Sequence, residues 1–200
     1  MKLADEGGIE ALSMRRLAKE LGVEAMSLYN HVANKDEVLD GILDTAYGEI
    51  AMPTADADWK TQIRGIAISA HETLLRHPWA SGLQMSQTPG PARLRYGDSL
   101  LGCFRNAGFS KDVTYHAYHI IESYIWGFTL QVINYQNVDE EKFGAIAASF
   151  LSGELDTEYP HFAEHARQHM EPEPGHEDVS GYELGVDLIL DSLERLRDTA

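Results

Sequence analysis

The strongest constraint on how this chain can fold is a pair of helical patterns between Ser13 and Lys35 that are separated by a glycine. Apolar residues recur at helical spacing before Gly22, and a second helical pattern begins near Glu24. Ser13 can cap the first helix because its hydroxyl accepts a free backbone N–H, and Gly22 can take the left-handed conformation that ends a helix. Two short helices joined in this way predict a helix-turn-helix, whose second helix fits the major groove of DNA. We expect Leu21 and Val23 to face inward at the turn.

The residues of this pattern carry a resemblance to a known family. The stretch LSMRRLAKELGV, followed after three residues by SLYNHVANKDEVLDGIL, resembles the DNA-binding module of the TetR family of bacterial repressors. The resemblance implies a three-helix head over residues 1–48. It also implies a first helix that begins before Met1, so we expect this helix to be truncated here and to stop at Gly7-Gly8.

The resemblance assigns roles within the head position by position. The residues that face the bases are Arg15, Ala25, Met26 and Ser27, and those that fix register through phosphates are Ser13, Ser27, Tyr29, His31 and Lys35. Arg15 can contact guanine, and Met26 can contact thymine methyl groups. Met26 and Asn30 replace proline and tryptophan of the tetracycline repressor, so we expect a different operator. The alternative is that Tyr29 and His31 only pack the head and Arg15 is a solvated charge.

The net charge of the chain is unusual for a DNA-binding protein. The chain carries −16 overall, and the segment from Met1 to Asp40 contains five Lys or Arg against eight Asp or Glu residues. DNA affinity comes largely from neutralising phosphates, so this balance argues mildly against DNA binding. We give the motif more weight, because the placement of charge on one face matters more than the sum.

The remainder of the chain predicts an all-α protein with a larger second domain over residues 53–200. Breakers in 52–58 indicate a linker. Apolar residues at helical spacing predict helices over 36–51, 59–76, 92–107, 111–136, 139–151, 157–169 and 182–197. Two stretches of the second segment, DSLLGCFRNAGFS and YELGVDLILDSLERL, resemble the tetracycline-repressor type of C-terminal domain, which implies a homodimer through helices 111–136 and 181–197. Both helices also carry more apolar surface than one small domain can cover.

The second domain is expected to hold a small molecule. Tyr115, Tyr118, His119 and Glu122 recur on one face of a predicted helix, and further residues can complete an apolar cavity with few polar groups: Tyr47, Met85, Leu100, Phe104 and Trp126. The alternative is that this stripe is aromatic core. The resemblance implies a His and an Asn around magnesium–tetracycline, but Gln84 and Ile66 stand at the matching positions, so we expect another ligand.

The histidines at positions 161, 165 and 169 share a helix face. Such a stripe can bind zinc or nickel, but no carboxylate or thiol completes a coordination shell, so an exposed stripe without metal is favoured.

The other classes of function find little support in the sequence. It contains no paired nucleophile and base, no glycine-rich phosphate loop and no HExxH motif, so we expect neither an enzyme nor a bound cofactor. Hydrophobic residues make up 44% of the chain, which indicates a globular protein, and the single Cys103 fits the cytoplasm. No segment is apolar enough to span a membrane.

The predicted function is a repressor that a small hydrophobic molecule releases from a palindromic double-stranded DNA operator. The alternative is a ligand-binding or partner-binding dimer whose truncated head no longer binds DNA.

Overall fold

The computed structural model describes residues 1–54, 57–83, 88–137, 139–153, 155–170 and 181–199. These residues form helices without any β-strand, which confirms the predicted all-α class. The helices are α1 (Lys2–Ala11), α2 (Met14–Leu21), α3 (Ala25–Leu28), α4 (Lys35–Tyr47), α5 (Trp59–Arg76), α6 (Ala80–Leu83), α7 (Pro91–Asn106), α8 (Lys111–Gln136), α9 (Glu140–Leu151), α10 (Pro160–Met170) and α11 (Gly181–Thr199). No helix of the described ranges is long and apolar enough to cross a membrane.

Capping residues that are visible in the sequence set the ends of the helices in the head. Ser13 caps α2 by accepting the N–H of Arg16 at 3.2 Å. Gly22 ends α2 with φ at +68°, a conformation that is cheap only for glycine. Asn34 caps α4 by accepting the N–H of Glu37 at 2.9 Å. Each cap satisfies a backbone group that the helix itself leaves without a partner.

Two predictions for the turn of the head were wrong in detail. Leu21 and Val23 are exposed, at 59% and 45% of their surface, because α3 has only four residues and presents little besides the buried Leu28 to the head's interior. The predicted stop at the glycine pair is confirmed, because α1 is interrupted at Gly8, where φ is +69°, and a second helical segment follows to Ala11.

The core of the larger part lies where α5 packs against α7, α8 and α11. Its innermost side chains are almost completely buried: Ile63, Ile66, Leu100, Phe104, Ile121, Ile125 and Val186. Each contributes about 1.5–3 kcal/mol relative to an exposed position. Ion pairs one turn apart also join α5 to α11, from Lys60 to Asp191 at 2.9 Å and from Arg64 to Asp187 at 2.8 Å. These pairs are partly exposed, so they align the two helices more than they stabilise them.

A polar cluster attaches the head to the larger part. Asp5 of α1 accepts hydrogen bonds from the imidazole of His77 at 2.7 Å and from the indole N–H of Trp79 at 2.6 Å. Glu49 contacts His77 at 3.2 Å and pairs with Arg76 at 2.9 Å. Burial alone would raise the pKa of Asp5, but the hydrogen bonds from His77 and Trp79 outweigh it, so the pKa is lowered. The orientation of the head therefore depends on a carboxylate that stays ionised.

Candidate nucleic-acid interface and ligand cavity

The candidate reading surface is formed by α2, α3 and the turn that follows α3. Met26 projects from α3 with 75% of its surface exposed, and Tyr29 is 47% exposed. The other predicted contact residues of this surface are exposed or half-buried: Arg15, Ala25, Ser27, Asn30 and His31. The fold therefore leaves them accessible to a partner, while Leu28 on the opposite side of α3 anchors the helix.

Two of the predicted phosphate contacts also have partners inside the chain. The hydroxyl oxygen of Ser13 caps α2, which leaves its own proton available to donate. The ammonium of Lys35 donates to the carbonyl of Ile9 at 3.3 Å and so joins the start of α4 to the end of α1. Arg15 and Lys19, by contrast, form no ion pair within the described residues, so both can pair with phosphates.

A cavity of about 380 Å³ lies between α4, α7 and α8. This volume suits a small molecule. Tyr47 of α4 contributes to one wall, Arg93 and Tyr96 of α7 to another, and Tyr118 and Glu122 of α8 to a third. The remaining lining residues are Pro89, Leu94, Gly97, Asp98 and Leu101.

A buried acid defines the polar side of this cavity. The hydroxyl of Tyr96 donates to Oε1 of Glu122 at 2.5 Å, and Tyr96 itself is only 2% exposed. Burial raises the pKa of Glu122, and it also raises the pKa of Tyr96, which stays protonated as a donor. The indole N–H of Trp126 lies close enough to favour the charged carboxylate, but it makes no hydrogen bond of ordinary geometry in the described structure. The acid therefore retains capacity for a donor supplied by a ligand.

Aromatic rings surround this acid. Tyr47 packs edge-on against Tyr96, with 5.3 Å between ring centroids, and lies 6.1 Å from the ring of Trp126. The guanidinium of Arg93 lies over the ring of Tyr47, 5.4 Å from its centroid. The cavity thus combines flat apolar walls with two acidic groups, Glu122 and Asp98, and one cationic group, Arg93, which suits a planar molecule that also forms hydrogen bonds.

The structure brings together only part of the predicted ligand set. Tyr47, Tyr118 and Glu122 line the cavity, and Trp126 packs on Tyr47. Leu100 and Phe104 are fully buried in the core and do not line it.

Two other predicted ligand residues lie away from the cavity. Tyr115 is 61% exposed and packs on the exposed His119 with centroids 4.6 Å apart, and neither lines the cavity. Periodicity identified their shared helix face but not the part of it that α7 covers. Met85 lies outside the described residues.

Sequence reasoning assigned the wrong residues of α7 to the cavity. Arg93, Tyr96 and Gly97 follow one another at helical spacing, and this was the signal that could have found them. The prediction took Leu100 and Phe104 from this helix instead, and both are buried in the core.

Comparison with known proteins identifies the family. The model described as "Bacterial regulatory proteins, tetR family" matches residues 1–42, and "Tetracyclin repressor-like, C-terminal domain" matches residues 52–197. The chain belongs to the TetR family. An HTH-type transcriptional regulator of Saccharopolyspora erythraea is 31% identical over 165 residues, which cover 82% of this chain and 70% of that protein.

Two further similar proteins come from Streptomyces. The HTH-type transcriptional repressor DrrR1 of Streptomyces coeruleorubidus is 30% identical over 209 residues, covering 98% of this chain and 74% of the relative. The structure of the TetR-family protein ActR from Streptomyces coelicolor in complex with actinorhodin shares the fold, with a TM-score of 0.77, 24% identity and coverage of 96% and 90%.

The predicted class of function is therefore that of the family. This TetR-family protein is a ligand-responsive DNA-binding regulator of the repressor type, and the alternative, a dimer whose head has lost DNA binding, is not favoured.

The helices predicted to form the dimer of this TetR-family regulator pack against each other and keep apolar side chains exposed. On α8 these include Leu130 and Tyr135, and on α11 they include Leu184 and Leu188, each between 46% and 60% exposed. Such a surface is typical of an interface between subunits.

The histidine stripe remains a prediction without a test. His161 and His165 are exposed on α10. The side chain of His169 lies outside the described residues, so the geometry of the stripe is not defined.

Proposed function

We propose that this TetR-family regulator represses from a palindromic operator, and that a planar hydroxylated aromatic molecule in the cavity releases it. The observation that carries the proposal is the position of Tyr47. This residue belongs to α4, the helix that begins in the head, and it also lines the cavity in the larger part. A molecule that displaces Tyr47 must move α4 or strain it, because protein interiors are closely packed.

The chemistry of the cavity argues for the class of ligand. Tyr47 and Tyr118 offer ring faces and edges, and Glu122 offers a buried acceptor that is already held by one donor from Tyr96. A ligand hydroxyl can donate to the second oxygen of Glu122, which offsets the cost of burying that carboxyl. ActR is described in complex with actinorhodin, which for this chain supports only the view that such a fold can hold a small molecule.

The head acts on DNA through the surface described above. Arg15 reads a guanine edge, Ala25 and Met26 contact thymine methyl groups, and Tyr29, His31 and Lys35 fix register on phosphates. A homodimer through α8 and α11 presents two such heads to successive major grooves. The regulator acts as a binding protein rather than an enzyme, over a head of about residues 1–48 and a second domain of about 53–200. It works where its operator lies, in the cytoplasm.

Fluorescence anisotropy with labelled duplexes from the region upstream of the gene tests the repressor proposal. We expect specific binding that weakens steeply between 50 and 200 mM salt, since phosphate contacts dominate affinity. A scrambled duplex of equal length serves as the control. Equal affinity for both duplexes would refute an operator-specific repressor.

A pair of probe compounds tests the ligand class. 2,6-Dihydroxyanthraquinone carries free hydroxyl donors from which Glu122 is expected to accept a hydrogen bond, and anthraquinone has the same ring system without them. We expect only the first to release the duplex, and we expect Glu122→Leu to abolish the difference. Release by neither compound, or by both equally, would contradict the proposed ligand class and leave the DNA measurement standing.

A further inference from the structure

The first turn of α7 is capped by a residue that lies far away in the sequence. Gly90 occupies the N-cap position and has no side chain to accept the free N–H groups that follow Pro91. The carboxylate of Asp44, on α4, takes this role: its Oδ1 accepts the N–H of Ala92 at 2.8 Å and that of Arg93 at 3.0 Å. A negative group at this position also suits the positive end of the helix dipole.

The backbone at position 90 is shaped around this carboxylate. A Cβ atom added to Gly90 would overlap the Asp44 carboxyl group, so glycine is required here for close approach rather than for an unusual φ. One turn earlier on α4, Asp40 accepts the N–H of Thr88 at 3.0 Å. Two carboxylates on the same helix therefore hold the start of α7 against α4.

This attachment lies between the cavity and the head. Arg93, whose N–H is capped by Asp44, also lines the cavity, as does Tyr47, one turn further along α4. At its other end, α4 begins with Lys35, which is hydrogen-bonded to Ile9 of the head. A displacement of the first turn of α7 is thus transferred to α4 through hydrogen bonds of fixed direction, and not only through packing of side chains.

We propose that Asp44 is the positioning residue that couples the cavity to the DNA-binding head, by capping α7 from α4. The proposal rests on the proposed function, because it concerns the regulation of the same site. Occupation of the cavity moves the capped turn and α4 together. By linkage, DNA bound to the head must shift the same turn in return.

This reciprocity allows a test with DNA alone, without a ligand. Hydrogen–deuterium exchange of the segment 91–97 is measured in the full-length protein, with and without the upstream duplex. We expect DNA to change the exchange rate of this segment at least threefold in the unsubstituted protein. In Asp44→Ala we expect at least tenfold faster exchange in the free protein and no change on adding DNA, although the duplex still binds within threefold of the normal affinity.

Three further variants separate coupling from a merely structural effect. Asp44→Asn keeps an acceptor oxygen, so it should restore most of the protection and part of the response to DNA. Gly90→Ala leaves Asp44 in place but displaces its carboxylate, so it should behave as Asp44→Ala does. Thr45→Ala is the matched control, because the exposed Thr45 hydroxyl bonds, among the described residues, only to the carbonyl of Gly41 one turn earlier on α4, and it should behave as the unsubstituted protein.

The outcomes distinguish failure of the coupling from failure of the proposed function. If the unsubstituted protein binds the duplex but segment 91–97 does not respond, or responds equally in Asp44→Ala and Gly90→Ala, the coupling role is refuted and the repressor proposal stands. If the unsubstituted protein does not bind the duplex, both proposals fail together. If Asp44→Ala does not fold, Gly90→Ala and Asp44→Asn decide the question by the same exchange measurement.

Discussion

The hydroxyl of Ser13 is expected to act twice, as the cap of α2 and as a donor to a DNA phosphate, and two substitutions separate these roles. Ser13→Ala removes both functions. Ser13→Asp keeps an acceptor for the N–H of Arg16, which Ser13 holds at 3.2 Å, but places a negative charge where the phosphate should lie. The comparison tests whether the N-terminus of α2 faces the DNA backbone.

The expected magnitudes follow from the two interactions. Loss of an exposed N-cap costs about 1 kcal/mol, which corresponds to roughly 2–4 °C in the unfolding midpoint for a chain of this size. Ser13→Ala should show this loss, and Ser13→Asp should not. A charge about 4 Å from a phosphate costs about 1 kcal/mol in water. Ser13→Asp should therefore bind the operator roughly fivefold more weakly at low salt.

Ser110 supplies a matched control for this experiment. Its hydroxyl caps α8 by accepting the N–H of Val113 at 3.2 Å, the same distance that Ser13 shows, but it lies in the larger part of the chain. Ser110→Ala should lower the unfolding midpoint as Ser13→Ala does and leave DNA affinity unchanged. Thermal unfolding and fluorescence anisotropy at two salt concentrations measure both quantities, since added salt should reduce the effect of Ser13→Asp. Ser13→Asp binding as tightly as the unsubstituted protein would refute the placement of α2 on the backbone.

Further predictions concern stability and sequence preference. Burial raises the pKa of Glu122 above its value in the unfolded chain, so the folded state loses stability as the pH rises and this carboxyl ionises. Glu122→Gln should therefore raise the unfolding midpoint at pH 8 and change it little at pH 4. An unchanged midpoint at pH 8 would contradict this. Gly22→Ala should lower the stability of the protein by about 1 kcal/mol, because φ at Gly22 is +68°. Gly41 lies inside α4 with open space around it, so Gly41→Ala should raise the stability by about 0.5–1 kcal/mol. Equal effects of the two variants in thermal unfolding would argue against the role of the left-handed backbone at Gly22. Lys35→Ala should weaken binding to all duplexes, and Arg15→Ala should relax preference at one base pair, as a panel of single-base operator variants would reveal; the same preference in both variants would undo the division of roles.

Elements with local signals could be predicted from the sequence. The bounds of α5 and α8 match the prediction, because Ser110 caps α8 and His77-Pro78 ends α5. The left-handed Gly22 and the Ser13 cap were also predicted, since each acts within four residues of itself. Short-range rules of this kind need no knowledge of tertiary contacts.

The cavity and the contact between α4 and α7 depend on long-range contacts that periodicity does not contain. Asp44 lies 48 residues before its partner Ala92, and its position on α4 resembles that of any exposed acid on an amphipathic helix. Tyr96 is paired with Glu122, 26 residues away, and its burial depends on how α7 is rotated against α8. A sequence pattern gives the faces of each helix, but the pairing of faces follows from packing.

The net charge of the segment from Met1 to Asp40 does not by itself describe the charge of the reading surface. Several acidic residues between Met1 and Asp40 already have partners within the chain: Asp5 with His77 and Trp79, Glu20 with Lys2, Glu37 with the N–H of Ala33, and Asp40 with the N–H of Thr88. Asp5 and Asp40 contact the larger part of the chain. The acidic balance of this segment therefore overstates the repulsion at the reading surface, where Arg15 and Lys19 form no ion pair among the described residues. Specific contacts must supply more of the affinity than in a basic head, so non-specific binding should be weak.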